Sequence, residues 1–182
     1  MTDCSATVLT SREVPWIIAR HRMDLVLCPE PPPEDGLVTA AFVLVFDAAE
    51  RLLLTQVDLP GRSWDIPGGH LDADEEPAVA ATRELAEETG FAAEPAELRL
   101  AGWQRFTLFE RPNRAYKYPY PLSYLLLFMV RHAALGPTVQ PAPGTECTAA
   151  RWCEPAVAEN LCSELSWYPI VAPARAALFR DA

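Results

Sequence analysis

An acidic stretch, GGHLDADEEPAVAATRELAEETGF, runs from Gly68 to Phe91 and constrains the fold more than any other part of the chain. Seven carboxylates fall within 17 residues of it, and Arg83 is the only cation among them. Pro77 near the start and Gly90 just past the end predict a helix over about 77–89. Carboxylates crowded on one helix repel each other, so a bound counter-charge is expected to balance them.

Three of these carboxylates share one face of the predicted helix. Glu84, Glu87 and Glu88 stand at i, i+3 and i+4, within about 100° of arc. A divalent cation would reverse their repulsion, and oxygen ligands without a nearby histidine or thiolate favour Mg²⁺ or Mn²⁺ over Zn²⁺. A merely solvated acidic face is the alternative. The adjoining face, expected to pack on strands, carries Ala78, Ala81, Thr82 and Leu85.

Composition indicates one globular domain and restricts which classes of partner it could bind. Half of the 182 residues are hydrophobic, and the net charge of -10 argues against binding nucleic acid or an anionic membrane surface. No basic, apolar leader opens the chain, which predicts a cytoplasmic protein. The odd number of cysteines and the absence of a CxxC pair predict reduced thiols at Cys4, Cys28, Cys147, Cys153 and Cys162.

A proline-rich segment, CPEPPPEDG at 28–36, predicts a linker between two parts of the chain. Residues 1–36 are therefore interpreted as an N-terminal extension and linker, and residues 37–182 as the main domain with C-terminal helices. Within the extension, SREVPWIIARH at 11–21 is expected to form a short helix and MDLVL at 23–27 a strand.

Apolar runs of strand length follow the linker. The first two, at 37–46 and 51–57, are predicted to form a hairpin through DAAE. Further strands are expected at 98–109, 122–130 and 148–153, and helices near 155–162 and 168–179.

The acidic stretch resembles the Nudix box, whose pattern is G-x5-E-x7-R-E-U-x-E-E-x-G-U with U a bulky apolar residue. Gly69, Glu75 and the run RELAEETGF at 83–91 match every fixed position. The resemblance extends over roughly residues 37–165. It implies an α/β/α sandwich around a mixed central sheet, with the box as a loop-helix-loop catalytic motif.

The same resemblance implies an activity and its requirements. Most Nudix proteins hydrolyse a diphosphate bond in a nucleoside diphosphate linked to another moiety, such as a nucleoside triphosphate, oxidised or not, or a sugar nucleotide. Mg²⁺ is the expected cofactor, with Mn²⁺ as a substitute, and the expected partner is a small nucleotide rather than nucleic acid or membrane. A homodimer is one option for assembly.

Roles are carried over position by position. Glu84, Glu87 and Glu88 would hold the divalent ions together with the carbonyl of Gly68, while Arg83, Glu75 and Gly69 would support them. The general base is left open between a box glutamate, Glu87 or Glu88, and a later one, Glu146, with Glu110 as a weaker choice.

Aromatic and cationic residues alternate between Trp103 and Tyr120, in the one basic cluster of an acidic chain. A nucleotide needs a ring to stack on and cations for its phosphates. Core strand residues beside solvated loop cations are the alternative. The proposed substrate contacts are Arg105, Phe106, Arg114 and Tyr116, with Arg62 from the loop before the box and His70 as a lesser candidate.

Two other functions remain to be weighed. A Nudix-fold protein that binds a nucleotide without hydrolysing it is the alternative, although the complete glutamate set argues against it. Isopentenyl diphosphate isomerase chemistry needs a cysteine motif that the sequence lacks.

Overall fold

A computed structural model describes residues 6–58, 63–112 and 118–180. Nine strands lie in this part of the chain: β1 (Thr7–Arg12), β2 (His21–Leu27), β3 (Leu37–Phe46), β4 (Leu52–Val57), β5 (Trp64–Asp65), β6 (Gly68–His70), β7 (Arg99–Leu108), β8 (Leu122–Arg131) and β9 (Cys147–Cys153). The helices are α1 (Pro77–Thr89), α2 (Pro155–Cys162) and α3 (Val171–Phe179), with 3₁₀ turns at Pro95–Glu97 and Tyr168–Ile170.

All nine strands belong to one mixed sheet. Its main order is β1-β2-β7-β8-β3-β4-β5, with β6 also paired to β3 and β9 to β4. The β3 and β8 strands run parallel, and the other pairs are antiparallel. The predicted mixed central sheet is confirmed.

Helices cover both faces of the sheet, as the predicted α/β/α sandwich requires. On one face Ala81 and Leu85 of α1 are fully buried against Ala41 and Val43 of β3 and their neighbours. On the other face, helix α3 and Ala158 of helix α2 pack over a second core that includes Leu44 and Leu54. Side chains alternate across a strand, so one sheet supplies both cores.

The box helix occupies the predicted range. Pro77 takes the first turn, where its missing N–H costs nothing, and Gly90 closes the last turn by donating its N–H to the carbonyl of Ala86. Strands at 37–46, 52–57, 99–108 and 122–131 and helices at 155–162 and 171–179 likewise agree with the sequence. These elements follow from local patterns that no distant contact overrides.

The helix predicted at 11–21 is wrong. The segment contains the end of β1, a turn and bends, then the first residue of β2. Pro15 interrupts any helix, and the Val14 N–H donates to His21 Nε2 at 2.8 Å instead of to a helical carbonyl. The connection thereby brings β1 back against β2, where both strands extend the sheet.

The N-terminal extension shares the sheet and the core with the rest of the chain. Strand β2 pairs with β7 from His21 opposite Leu108 to Leu27 opposite Gly102. The four described cysteines are free thiols and buried. No helix within the described residues has the length and apolar character needed to cross a bilayer.

Candidate active site

The loop before α1 is held against the central strand of the sheet. In β6, Gly69 lies opposite Ala41 of β3, and Gly68 lies opposite Phe42. Gly68 has φ of 149°, and a Cβ there would come within 2.5 Å of the Ala41 carbonyl oxygen. Only glycine allows this approach, which fixes the loop under the glutamate face of α1.

Arg83 is the centre of the ionic network in the box. Its Nε and Nη2 both donate to the carboxylate of Glu75 at 2.9 Å, and its Nη1 donates to Glu84 Oε1 at 2.8 Å. Nη2 also reaches the backbone carbonyl of His70 at 3.2 Å, and Glu87 lies 3.8 Å from Nη1. One planar guanidinium thus joins the loop, the supporting acid and two candidate ligands.

These contacts shift the ionisation of both partners toward their charged forms. The hydrogen bonds from Arg83, helped by the Asp72 N–H, lower the pKa of Glu75 to about 2. The hydrogen bond to Glu75 in turn raises the pKa of Arg83 above its usual value. The pair stays ionised across the physiological pH range and holds its geometry there.

Glu84 reaches the glycine loop on the other side of Arg83. A Cβ on Gly69 would meet Glu84 Oε1 at 2.6 Å, so the carboxylate rests on backbone that only glycine leaves open. The Glu84 side chain is 18 % exposed, whereas that of Glu87 is 49 % exposed. On the ligand face, the exposure of the glutamate side chains therefore increases from the glycine loop toward solvent.

Glu88 is the most buried carboxylate of the set. The residue is 6 % exposed, and it accepts hydrogen bonds from the Gly68 N–H to Oε2 at 3.0 Å and from the Cys147 thiol to Oε1 at 3.2 Å. Burial raises its pKa to about 7, and the negative charges of Glu84 and Asp65 add to the shift. A nearby positive charge would stabilise the ionised form of such a carboxylate.

The residues present fit a hard divalent cation. Glu84 and Glu88 both touch the Gly68–Gly69 backbone, and carboxylate with backbone oxygen is the donor set that Mg²⁺ and Mn²⁺ accept. In the described part of the chain no three His, Cys, Asp or Glu side chains already form a complete metal cluster. Arg83 Nη1 contacts Oε1 of Glu84 and lies 3.8 Å from Oε2 of Glu87, so it orients both carboxylates through one oxygen each.

The two later glutamates have different surroundings. Glu146 is exposed and directly precedes Cys147, and its backbone carbonyl accepts a hydrogen bond from Asp58 at 3.0 Å. It therefore lies in the loop next to Glu88. Glu110 accepts a hydrogen bond from the Arg20 N–H at 2.8 Å and is tied to the N-terminal extension.

The candidate substrate contacts are scattered rather than gathered. Phe106 was expected to contact substrate, but it is 7 % exposed and packs in the core beneath α2 and α3. The expectation for Phe106 is corrected: alternation along β7 turns it away from the α1 face. Three other candidates, Arg62, Arg114 and Tyr116, lie outside the described residues.

Arg105 lies on the α1 side of the sheet in a polar row. Its Nη2 donates to Asp24 at 2.9 Å, and Asp24 also accepts a hydrogen bond from Ser11. Beside it, Trp103 packs edge-to-face with Tyr124, with ring centroids 5.4 Å apart. Among the described residues, the buried side-chain nitrogens that lack a hydrogen-bond partner are Trp103 Nε1 and Arg105 Nε.

His70 joins the box loop to the loop before β8. Its ring stacks on Tyr118 with centroids 5.3 Å apart, and its Nε2 lies 2.6 Å from the Tyr118 hydroxyl. Sequence reasoning placed both residues in loops without pairing them. It also missed the contact between Cys147 and Glu88, because 59 positions separate the two and no local pattern relates them.

A comparison with protein families identifies the chain. The family model described as "NUDIX domain" matches residues 36–172. The chain belongs to the Nudix family. The match agrees with the box at 69–91 and includes every strand from β3 onward.

Curated Nudix relatives match over short stretches. A putative 8-oxo-dGTP diphosphatase of Bacillus subtilis is 44 % identical over 54 residues, which are 29 % of this chain and 35 % of that protein. The aligned stretch thus spans about a third of the relative's length.

Solved Nudix structures share the fold more widely. The Bacillus subtilis pyrophosphohydrolase RppH superposes with a TM-score of 0.59 at 16 % identity, over 85 % of this chain and 89 % of that one. A bifunctional NMN adenylyltransferase/ADP ribose pyrophosphatase of Francisella tularensis, complexed with AMP and Mn, has a TM-score of 0.52 at 25 % identity, over 79 % and 42 %. The Nudix fold is therefore confirmed.

Proposed function

We propose that this Nudix chain is a metal-dependent pyrophosphohydrolase that cleaves a diphosphate bond in a nucleoside diphosphate linked to another moiety. The observation that carries the proposal is the complete ionic network of the box. Arg83 joins Glu75 to Glu84, and Glu84 and Glu88 both rest on the Gly68–Gly69 loop. A binding protein without chemistry has no need to keep every one of these groups.

Mg²⁺ is the proposed cofactor, with Mn²⁺ able to replace it. Glu84, Glu87, Glu88 and the carbonyl of Gly68 would hold the ion, and the similar Francisella tularensis protein, whose structure is complexed with AMP and Mn, supports a divalent ion as cofactor. The bound cation would neutralise phosphate oxygens and lower the pKa of a water. Arg83 keeps Glu84 oriented, and Glu75 keeps Arg83 in place.

A proton must leave the attacking water, and two kinds of acceptor are available. Glu87, half exposed on the ligand face, is one candidate, with Glu88 beside it. Glu146, in the loop adjoining Glu88, is the other. The water adds to phosphorus, the bridging P–O bond breaks, and the accepted proton passes to solvent.

The proposed substrates are nucleoside triphosphates, oxidised or not, and sugar nucleotides. Arg105 and Trp103 are proposed to contact the nucleoside, because each has a buried nitrogen with no partner among the described residues and both lie on the α1 side of β7. The name of the Bacillus subtilis relative, a putative 8-oxo-dGTP diphosphatase, supports including oxidised purine nucleotides among the substrates.

A nucleotide panel with product identification tests the proposal. The purified chain is incubated with Mg²⁺ and each nucleotide, beside Glu87→Gln and, as a matched control, Glu76→Gln. Glu76 is an exposed acid before α1 with no side-chain cap hydrogen bond. We expect the wild type and Glu76→Gln to release products at similar rates, and Glu87→Gln to be slower by about 100-fold or more.

Two results would contradict the proposal. Equal slow release by the wild type and Glu87→Gln would show that the box does no chemistry. A nucleotide that raises the melting temperature with Mg²⁺ yet remains intact after hours would indicate a binding protein. The cytoplasmic location and the homodimer stay predictions.

A further inference from the structure

Glu88 differs from the other box acids in how its carboxylate is held. Glu75 and Glu84 are oriented by Arg83, whereas Glu88 has no cation among its hydrogen-bond partners in the described structure. One oxygen accepts the Gly68 N–H and the other accepts the Cys147 thiol. Among the described residues, the thiol is thus the only side-chain hydrogen-bond donor to Glu88.

Cys147 comes from an element that the box does not include. It is the first residue of β9, lies opposite Val57 of β4 after a shift in register, and is 6 % exposed. The strand pairing fixes its Cα, and the surrounding side chains leave the thiol facing Glu88 rather than solvent. The sheet therefore sets where Oε1 of Glu88 lies.

The two hydrogen bonds leave capacity for a cation. Each oxygen of an ionised carboxylate accepts along two lone-pair directions, and each oxygen of Glu88 uses one of them in the structure. The two hydrogen bonds hold the Glu88 side chain in one rotamer before the cation binds. The side chain therefore loses less conformational entropy on ligation. An apolar side chain at position 147 would leave Oε1 buried and unpaired.

We propose that Cys147 is a positioning residue for cation binding: its thiol holds Glu88 in the orientation that binds the divalent ion. The inference rests on the proposed function, since it concerns the same cation. Cys147 touches neither the substrate nor the reacting atoms and acts only through Glu88. Its contribution is therefore expected in the affinity for the metal, measurable without turnover.

The test compares a replacement that removes the hydrogen-bond donor with one that keeps it. Cys147→Val removes the donor and fills the space, whereas Cys147→Ser keeps a donor. Binding of Mn²⁺ alone is measured by the loss of the free-ion electron paramagnetic resonance signal. We expect Cys147→Val to raise the dissociation constant about five- to tenfold and Cys147→Ser to stay within about twofold of the wild type.

Cys153→Val is the matched control for changing a buried cysteine. Cys153 ends the same strand and is 2 % exposed, and its sulfur approaches the Arg151 carbonyl instead of a box acid. Cys153→Val should bind Mn²⁺ like the wild type whatever happens to its melting temperature. Cys147→Ala is measured in parallel, so the result does not depend on how well valine fits.

The outcomes separate this inference from the proposed function. If the folded Val and Ala variants bind Mn²⁺ as tightly as the wild type, the positioning role is overturned while the metal site stands. If serine loses as much affinity as valine, packing rather than donation is responsible, and the inference fails. If the wild type binds no Mn²⁺, the proposed metal chemistry fails and takes this inference with it.

Discussion

Among the single residues of the site, Arg83 has the largest effect on the charges of its neighbours, because it hydrogen-bonds both Glu75 and Glu84. Its guanidinium donates four hydrogen bonds, two to Glu75, one to Glu84 and one to the carbonyl of His70. A lysine offers a single charged centre and would not satisfy these acceptors together. The box therefore depends on the guanidinium shape as well as on its charge, and Glu75 contributes by fixing the orientation of that group.

Glu75→Gln tests this role through pH. The pKa of Glu75 is lowered from 4.5 to about 2, chiefly by the hydrogen bonds from Arg83, so its ionised form stabilises the folded chain above about pH 4.5. That contribution disappears as the pH falls from about 4.5 toward 2. We expect Glu75→Gln to be less stable than the wild type at pH 7 and the difference to shrink below pH 4.

Urea unfolding of both proteins at pH 7, 4 and 3, without metal, measures the effect. Glu76→Gln serves as the control, because the side chain of this exposed neighbour makes no cap hydrogen bond that could be lost. A difference between Glu75→Gln and the wild type that stays constant from pH 7 to pH 3 would contradict the assignment. It would mean that the amide loses packing rather than charge.

At the level of secondary structure, strand β7 contributes side chains to both hydrophobic cores. Trp103 faces the α1 side and packs against Tyr124, while Phe106 faces α2 and α3. Both are more than nine-tenths buried. Their positions in the sequence are three apart, so period-2 alternation separates them completely.

A pair of substitutions on β7 distinguishes substrate contact from packing. Trp103→Phe keeps a ring against Tyr124 but removes the unpartnered Nε1, so we expect KM for the nucleotide to rise about three- to tenfold with kcat nearly unchanged. Phe106→Leu should leave KM unchanged, and Phe106→Ala should cost about 3–5 kcal/mol of stability. Steady-state kinetics and thermal unfolding measure both effects.

The reverse pattern would refute this assignment of the two faces. If Phe106→Leu raised KM while Trp103→Phe did not, the nucleoside would lie under α2 and α3. If neither changed KM, the polar row beside Trp103 would be structural only.

Local sequence patterns predicted the elements better than they predicted contacts between them. The caps of helix α1 and the apolar patterns of strands β3 and β8 are set by residues close together in the chain. The sequence was therefore sufficient to predict these elements. The segment 11–21 has apolar residues at helical spacing, but Pro15 and the pairing of β1 with β2 decide against a helix. The Glu88–Cys147 contact arises only when β9 pairs with β4.

At the scale of the whole molecule, one sheet runs through the described structure, and segments near both ends of the chain join it or pack on it. The N-terminal extension supplies β1 and β2, α3 near the other end covers the opposite face, and the family match begins only at residue 36. The domain boundary at the proline-rich linker stays a prediction. In the fold, Asp24 of β2 pairs with Arg105 of β7, and Asp35 of the linker accepts a hydrogen bond from the Tyr124 hydroxyl.

Removing residues 1–36 is therefore expected to abolish stable folding. Met23 and Leu25 are fully buried, and each contributes about 1.5–3 kcal/mol by burial, against a total stability of about 5–15 kcal/mol for a domain. The truncation also exposes β7 as an unpaired edge. We expect chain 37–182 to aggregate or to lose its cooperative thermal transition, as size-exclusion chromatography and calorimetry would show.

Deletion of residues 1–5 alone is the matched control, because it ends before β1 begins at Thr7. That variant should elute and melt like the wild type and hydrolyse nucleotides at the same rate. A monomeric chain 37–182 that melted at the wild-type temperature would show that β1 and β2 only cover a core that is complete without them. The extension would then be an addition to the Nudix domain, and the Asp24–Arg105 pair would have no part in holding the sheet together.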